Sequence, residues 1–420
     1  MKSQYVVALA YLTMARLTMS YLLQNAACQC RRRLTNPKDA KIHTFSHRSF
    51  RKIGVKQFSL AKSYSADESS VEERSNDTGE KNLLHPEQLG PLIQPKALSP
   101  SSIMEFKKCP QSFLCQYLYN IKQPKSLALA KGSMCHDALD KVFDLDQDDR
   151  TLENLKNLLR VSWSGNRLTD TYRDLFEKSA DNGEIVRDVT AEREWGLSAL
   201  QLLDNYYQLE DPRSVARPNP LKREVWLHAN LTVDPTKGAT GYVAGERGYD
   251  NSLDSRANGE TPQTFRVRGI VDRFDMVRLT SHEVAMRLID YKTGKYPNLK
   301  YSAACNARIV EEALYQLKIY ALLHREQETG GDLDLRYLRL FYLTSETGEA
   351  RYLDLDLGET QLERDSILQE IHADLSNVWA KIVELVSSQD PKAFVGCDRS
   401  FCYCHECRER FVPGSLWQPS

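Results

Sequence analysis

Two neighbouring strand-like segments carry ionisable residues at positions where a buried strand would be apolar. The segment Phe265–Val277 contains Asp272, and the segment Val284–Tyr291 contains Asp290 and is followed by Lys292. Because side chains alternate between the faces of a strand, Asp290 and Lys292 point to the same face. An Asp-x-Lys triplet alone is usually a solvated strand end, but a second carboxylate from the adjacent strand would place two carboxylates and an ammonium group together. Such a set suits Mg²⁺ and a phosphodiester, since carboxylate oxygens bind this ion.

The rest of the sequence between residues 98 and 412 predicts an α/β domain with helical additions. Helical periodicity is found in residues 98–119, 129–143, 309–324 and 363–386. Alternation typical of strands is found in residues 223–233, 265–277, 284–291 and 335–343. Between the first two strands, residues 234–263 are rich in Gly, Asp, Asn, Thr and Pro, and they predict a long surface insertion.

The first 66 residues differ from the rest of the chain in charge. They contain twelve Lys or Arg and one acid, so they carry a net charge of +11 and the remainder carries −12. They are rich in Ser, Thr and Gln, and Arg31–Arg33 follow an apolar stretch at residues 5–23, a pattern typical of an organelle presequence. Import into the mitochondrial matrix is the preferred interpretation. A plastid signal, or a secretory signal whose apolar region begins at residue 5, is the alternative.

The segments that flank the predicted domain are polar. Residues 67–97 hold seven acids against three basic residues, with three prolines and little apolar content, which predicts a disordered acidic linker. Residues 413–420 form a short tail. No apolar run reaches 18 residues, so the sequence predicts no integral membrane association.

The cysteines are concentrated near the C-terminus. Four of the ten, Cys397, Cys402, Cys404 and Cys407, fall within eleven residues. Disulfides that stabilise a secreted domain would be spread along the chain, whereas a cluster this tight favours a metal site.

Five segments resemble motifs of the PD-(D/E)XK nucleases of the RecB and AddB type, and they follow one another along the chain in the order that the family has. Two are Gly269-Ile-Val-Asp-Arg and Ile289-Asp-Tyr-Lys-Thr-Gly, which contain the aspartates and the lysine. The others are the opening helix Ser99–Pro110, the Gly-x-x-x-His motif Gly132–His136 and the Gln-x-x-x-Tyr motif Gln316–Tyr320. The resemblance implies a restriction-endonuclease-like α/β fold, with a mixed central sheet flanked by helices.

The resemblance also implies roles for individual residues. His136, Asp272, Asp290 and the carbonyl of Tyr291 correspond to ligands of Mg²⁺ or Mn²⁺, and Lys292 corresponds to the residue that positions the attacking water. Gln316 and Tyr320, at helical spacing i and i+4, would meet the scissile strand from one helix face. Glu224 falls near a family glutamate that supports the site, with a solvated surface role as the equal alternative.

Iron–sulfur members of this family hold a [4Fe–4S] cluster with one cysteine before the nuclease core and three after it. Cys109 and the C-terminal group have this layout, although the tail spacing departs from the usual Cys-x₂-Cys-x₅-Cys. The favoured ligands are Cys109, Cys397, Cys402 and Cys407, with Cys404 as the spare. Zinc is the alternative, because thiolates suit either metal.

The stand-alone architecture resembles that of exonuclease V and of the mitochondrial genome maintenance exonuclease, which implies a metal-dependent DNA exonuclease that prefers single-stranded ends and acts in organellar DNA repair or maintenance. The alternatives are an endonuclease, a nuclease that cleaves RNA, and a non-catalytic binding or assembly protein with the same fold and cluster. No helicase motif of the P-loop type occurs, so a helicase or a single-strand-binding protein would be a separate partner.

The negative charge of the domain requires local basic patches for DNA binding. The candidates near the motifs, each with a solvated surface role as the ordinary alternative, are Lys107, Lys108, Arg273, Lys292, Lys295, Lys300 and Arg308. Tyr291 and Tyr320 are the candidate aromatic residues for stacking on unpaired bases.

Overall fold

A computed structural model describes residues 83–180, 183–214, 219–233, 263–281, 283–327, 333–412 and 415–417. All of them belong to one of the two units into which the chain divides, residues 78–420. The predicted leader, the first half of the predicted linker and nearly all of the predicted insertion lie outside the described residues, so their assignments stay predictions.

Helices surround the sheet in the described part of the chain. In chain order they are α1 (Pro100–Lys108), α2 (Leu127–Lys141), α3 (Leu152–Asn166), α4 (Val189–Leu209), α5 (Ala303–Gln327), α6 (Gln361–Ser387) and α7 (Tyr403–Arg408). The short helix Pro110–Phe113 follows α1 and continues as the π-helical segment Leu114–Leu118. Local sequence sets several starts: the Ser99 hydroxyl accepts from the backbone N–H of Ser102 before α1, and Thr360 begins α6 with a capping box. None of the helices among the described residues combines the length and apolarity needed to span a bilayer.

The strands form a small hairpin and a five-stranded sheet. In chain order they are β1 (Glu177–Ser179), β2 (Ile185–Arg187), β3 (Lys222–Thr232), β4 (Thr264–Arg278), β5 (Val284–Lys295), β6 (Leu335–Thr344) and β7 (Arg351–Asp356). The first two pair with each other, and the sheet has the order β3-β4-β5-β6-β7. Among these strands only β5 and β6 are parallel, and α5 makes the crossover between them. The predicted mixed sheet flanked by helices is therefore confirmed.

Each face of the sheet packs on a different group of helices. Leu227, Ala229 and Leu231 of β3 belong to a core that includes the buried faces of α5 and α6. Ile289 and Tyr291 of β5 belong to a second core formed with α2, α3 and α4. Helices thus cover the sheet on both sides.

The strands that carry the aspartates separate at one point in the sheet. Strand β4 pairs with β3 along nearly its whole length, but with β5 only from Arg273 to Arg278. Beside the unpaired part, Leu98 takes the place of a β5 residue: its N–H donates to the carbonyl of Arg266, and its carbonyl accepts from the N–H of Arg268. A gap therefore opens between the two strands immediately after the Arg273–Ile289 pair.

Residues 83–97 lie in the segment predicted as a disordered linker, yet they pack on the domain. Leu84 forms a bridge with Phe411, and Leu92 is buried. The side-chain amide of Gln389 accepts from the N–H of Leu92 and donates to its carbonyl. The composition is polar, but these few apolar and backbone contacts order the segment.

Candidate active site and cysteine cluster

The gap between β4 and β5 brings three predicted residues together. Asp272 lies just before Arg273 and Asp290 just after Ile289, the last pair of the two strands, and Lys292 lies two residues further along β5. The ammonium group of Lys292 is 2.6 Å from Oδ2 of Asp290. Asp290 is buried, whereas the lysine side chain remains partly exposed. The predicted convergence of two carboxylates and one ammonium group is present.

His136 of α2 joins this group from the adjacent helix. Its Nδ1 is 3.3 Å from Oδ2 of Asp272, and its Nε2 is 2.9 Å from the carbonyl oxygen of Tyr291. The same Asp272 oxygen accepts a hydrogen bond of 2.8 Å from the N–H of Tyr291. Burial disfavours the charged ring, but the Asp272 and Asp290 carboxylates outweigh it and raise the pKa of His136 to about 9. The oxygens of this site therefore attract positive charge.

Glu224 adds a third carboxyl group opposite Asp272. It lies on β3 between the residues that pair with Arg273 and Val271, and its backbone has a φ of +47°. A left-handed backbone is rare for a residue with a side chain and marks a constrained position. Burial, with Asp272 and other carboxylates nearby, raises the pKa of Glu224 to about 7. Sequence reasoning names this residue only as a supporting candidate, because nothing in the sequence reveals its backbone angle.

The surroundings of Asp290 disfavour its ionised form. Burial raises the pKa of Asp290, Lys292 opposes the rise, and the Asp272 carboxylate adds to it. A buried carboxyl group beside other carboxylates is stabilised in its ionised form when a divalent cation binds there. The residues present fit Mg²⁺ or Mn²⁺ by this test.

A chain of hydrogen bonds connects the lysine to α5. Lys292 Nζ donates to Oε1 of Gln316 at 2.8 Å, and Nε2 of Gln316 donates to the hydroxyl of Tyr320 at 3.0 Å. Gly269 makes room for this arrangement, since a Cβ at its position would lie 2.6 Å from the Tyr320 ring. The glycine of the Gly-Ile-Val-Asp-Arg segment thus has a steric role behind the site.

Comparison with known families agrees with this geometry. A family model for the PD-(D/E)XK nuclease superfamily matches residues 97–410, most of the chain. The chain belongs to the PD-(D/E)XK nuclease superfamily. Its members are in general nucleases that use divalent metal ions, and its fold is the restriction-endonuclease-like fold described above. No curated protein matches the chain.

One basic residue of the nuclease motif has a structural position. Arg273 is buried and pairs with Glu210 and Asp275, with nitrogen–oxygen distances of 2.7 Å and 2.6 Å. It also donates to the hydroxyl of Tyr291 at 2.7 Å. The expectation that Arg273 contributes to a DNA-binding surface is therefore wrong, because its charge is already neutralised inside the domain.

The candidate stacking residues are also buried. Tyr291 and Tyr320 are 3% and 5% exposed, and both hydroxyl groups take part in the hydrogen bonds described above. Neither ring is accessible to a nucleotide base. The aromatic contacts predicted for this pair are not available in the structure.

Four cysteines from the beginning and the end of the domain come together. The sulfur atoms of Cys109, Cys397, Cys402 and Cys404 all lie within 4.8 Å of one another. Burial raises the pKa of Cys402 to about 11 and that of Cys109 further. The pKa of Cys397 is lowered: burial opposes this, but the N–H of Arg399 and the neighbouring thiols favour the thiolate. Four sulfur ligands in this arrangement suit zinc or an iron–sulfur cluster.

The structure differs from the predicted set of ligands at one place, where Cys404 replaces Cys407. Cys404, the expected spare, belongs to the group of four, whereas Cys407 forms a disulfide with Cys115. Both Cys404 and Cys407 lie on the short helix α7, one turn apart, so their spacing alone cannot assign them. Cys407 is held instead in a small core that contains Ile121 and Phe411.

Proposed function

We propose that this protein is a metal-dependent deoxyribonuclease that trims single-stranded DNA ends, in repair or maintenance of organellar DNA. The observation that carries the proposal is the meeting of Asp272, Asp290 and Lys292 where β4 and β5 separate. Membership of the nuclease superfamily supports phosphodiester hydrolysis as the reaction.

The metal would be held by Asp272, Asp290, the imidazole of His136 and the carbonyl of Tyr291. When bound, Mg²⁺ or Mn²⁺ polarises a phosphoryl oxygen and lowers the pKa of water. The N–H of Tyr291 fixes one Asp272 oxygen, and His136 meets the same oxygen from α2. Glu224, on β3, would add a further carboxylate beside the metal.

Lys292 would orient the attacking water and offset negative charge that develops on the phosphate. Its ammonium group is held by Asp290 on one side and by Gln316 on the other, so its position is fixed before substrate binds. Gln316 is in turn held by Tyr320. These two residues of α5 are positioning residues for the lysine, in addition to any contact with the scissile strand.

The four cysteines would hold a [4Fe–4S] cluster, with zinc as the alternative. Cys109 begins the helical segment at Pro110, while the other three come from residues 397–404, so a metal here would join the beginning of the domain to its end. Iron, acid-labile sulfide and zinc analysis of protein purified without oxygen distinguishes the two metals independently of nuclease activity.

The charge of the protein supports a preference for single strands over duplex DNA. Beyond the basic leader the chain carries a net charge of −12, which disfavours the extended phosphate contacts of duplex binding. The leader supports import into mitochondria, with plastids as the alternative. Tagging the first 66 residues to a fluorescent protein tests this localisation.

The proposed activity is tested with linear and circular DNA in single-stranded and duplex forms. We expect Mg²⁺- or Mn²⁺-dependent release of label from linear single strands and no cleavage of single-stranded circles. Cleavage of circles would establish an endonuclease instead. Complete inactivity of the metal-loaded protein on every substrate, RNA included, would favour the non-catalytic binding protein.

A further inference from the structure

We propose that single-stranded DNA reaches the active site along the open face of β3 and β4, where Trp226 stacks on bases and Arg266 and Arg268 bind phosphates. This inference rests on the proposed function, since it names the path of that same substrate. We call the surface formed by Trp226, His228, Asn230, Arg266, Arg268 and Ile270 the β3–β4 track.

Side-chain alternation places these residues on one face of the sheet. Leu227, Ala229 and Leu231 point toward α5 and α6, so the residues between them point to the opposite face. The same holds on β4, where Phe265 and Val267 are buried against the helices and their neighbours are exposed. This opposite face is the one that His136 and α2 approach near Asp272.

The track is a regular ladder of cross-strand pairs that leads away from the carboxylates. Trp226 pairs with Ile270, His228 with Arg268 and Asn230 with Arg266. Glu224 and Asp272 lie opposite each other at the end of this ladder, two residues beyond Trp226 and Ile270. Since a strand rises about 3.3 Å per residue, Trp226 lies ~7 Å along β3 from Glu224, and Arg266 ~20 Å along β4 from Asp272. An extended strand that ends at the carboxylates therefore passes the aromatic ring first and the arginines next.

Trp226 is a large apolar side chain in an exposed position on this track. It is 51% exposed, whereas Tyr291 and Tyr320, the aromatic residues that the sequence predicts for stacking, are buried. An indole ring on an open sheet face, two residues from a carboxylate of the site, is suited to stack on an unpaired base. No sequence motif points to it, because strand tryptophans are ordinarily core residues.

The arginines of the track have charges that the described part of the protein does not neutralise. Arg266 and Arg268 are exposed, and neither forms an ion pair with a residue that the structure describes. In contrast, Lys107 is paired with Asp374, Lys300 with Glu346 and Arg273 with Glu210. Two exposed guanidinium groups on a domain with excess negative charge are suited to bind phosphates.

The test measures equilibrium binding of end-labelled single-stranded DNA at several salt concentrations, in an Asp290→Asn background that prevents cleavage. We expect Trp226→Ala to weaken binding about tenfold and Trp226→Phe to restore most of it, because a base can stack on either ring. We expect Arg266→Ala with Arg268→Ala to reduce the slope of log affinity against log salt by about 0.7 for each lost phosphate contact.

Arg278→Ala is the matched control. Arg278 is exposed on β4 and lies six residues after Asp272, whereas Arg266 lies six residues before it. Its affinity and salt slope are expected to equal those of the background protein. If Arg278→Ala weakens binding and the track variants do not, the strand leaves by the opposite end of β4 and the inference is wrong. Equal binding by all variants, with unchanged thermal unfolding, also overturns it.

The same proteins separate this inference from the proposed function. Cleavage by the protein with Asp290 intact tests the nuclease, and binding in the Asp290→Asn background tests the track. Binding that depends on Trp226 without cleavage by the native protein would leave the track in place and overturn the nuclease. Cleavage by the native protein, together with unchanged DNA affinity in the Trp226 variants, would support the nuclease and overturn the track.

Discussion

Glu224 combines two features that are unfavourable on their own, a left-handed backbone and a carboxyl group whose pKa is raised beside Asp272. A side chain in this backbone region costs about 1–2 kcal/mol relative to glycine. Functional sites are where such costs are retained. The residue therefore serves the site at the expense of the stability of β3.

This cost predicts the order of stability of two variants. Glu224→Gly is expected to be about 1 kcal/mol more stable to urea unfolding than Glu224→Ala, because only glycine adopts a φ of +47° without strain. Asn230 lies on the same strand and is not among the residues with positive φ. There the alanine variant should be more stable than the glycine variant. An alanine variant as stable as the glycine variant at position 224 would contradict the assigned backbone.

The elements around the site are held by a buried charge cluster at the junction of β4, β5 and α4. Arg273 joins Glu210 of the segment after α4 to Asp275 of β4, and it contacts the hydroxyl of Tyr291 on β5. Removing one member of a buried cluster leaves the others without compensation, which costs more than the cluster itself contributes.

We therefore expect Arg273→Leu to destabilise the domain by about 3–5 kcal/mol in urea unfolding. Arg278→Ala, which removes an exposed arginine from the same strand, is expected to change stability by less than about 0.5 kcal/mol. A small effect of Arg273→Leu would show that the charges of Glu210 and Asp275 are solvated in solution.

A buried histidine in α5 gives the fold a predictable response to acid. Burial, helped by the nearby Lys222, lowers the pKa of His324 to about 4 from its ordinary value of 6.5, and the ring packs on Phe274. The unfolded chain then binds the proton before the folded domain does. The contribution to stability is complete above pH 6.5 and is lost as the pH falls toward 4.

His324→Leu is accordingly expected to remove part of the acid sensitivity. Between pH 6.5 and about 4 the native protein should lose roughly 3 kcal/mol more unfolding free energy than the variant. Urea unfolding of both proteins across this range measures the difference. Parallel pH profiles for the two proteins would contradict a neutral, buried ring.

Sequence patterns predict much of this architecture because the periods of helices and strands are local properties. The alternation at Asp290 and Lys292 correctly places both on one face, and the spacing of Gln316 and Tyr320 correctly places them together. Strand β7 is not predicted because its outward residues are charged and its apolar alternation is short. The burial of Arg273 is not predicted because its partner Glu210 is 63 residues away in the chain.

At the scale of the whole molecule, the cysteine group joins distant parts of the chain. Cys109 precedes the first part of the sheet, and its three partners follow the last long helix. A metal bound at these sulfurs closes nearly the whole domain into one loop, so its loss should affect folding more than chemistry.

The exchange of Cys404 and Cys407 gives a direct prediction. We expect Cys404→Ser to lose the bound metal and Cys407→Ser to retain it, because Cys407 is paired with Cys115. Iron, sulfide and zinc content per chain, measured on protein purified without oxygen, tests this independently of activity. Loss of metal from Cys407→Ser with retention in Cys404→Ser would restore the assignment that the sequence suggests.

The proposed function requires that the carboxylates and the lysine at the gap between β4 and β5 cleave phosphodiesters with a divalent metal. Its most direct test is the single-turnover cleavage rate of end-labelled single-stranded DNA with Mg²⁺ or Mn²⁺, for the native protein, Asp290→Ala, Lys292→Ala and the control Lys381→Ala on the exposed face of α6. We predict a loss of at least ~10²-fold in the first two variants and none in the control. Metal-dependent cleavage at the native rate by Asp290→Ala or Lys292→Ala would contradict the account.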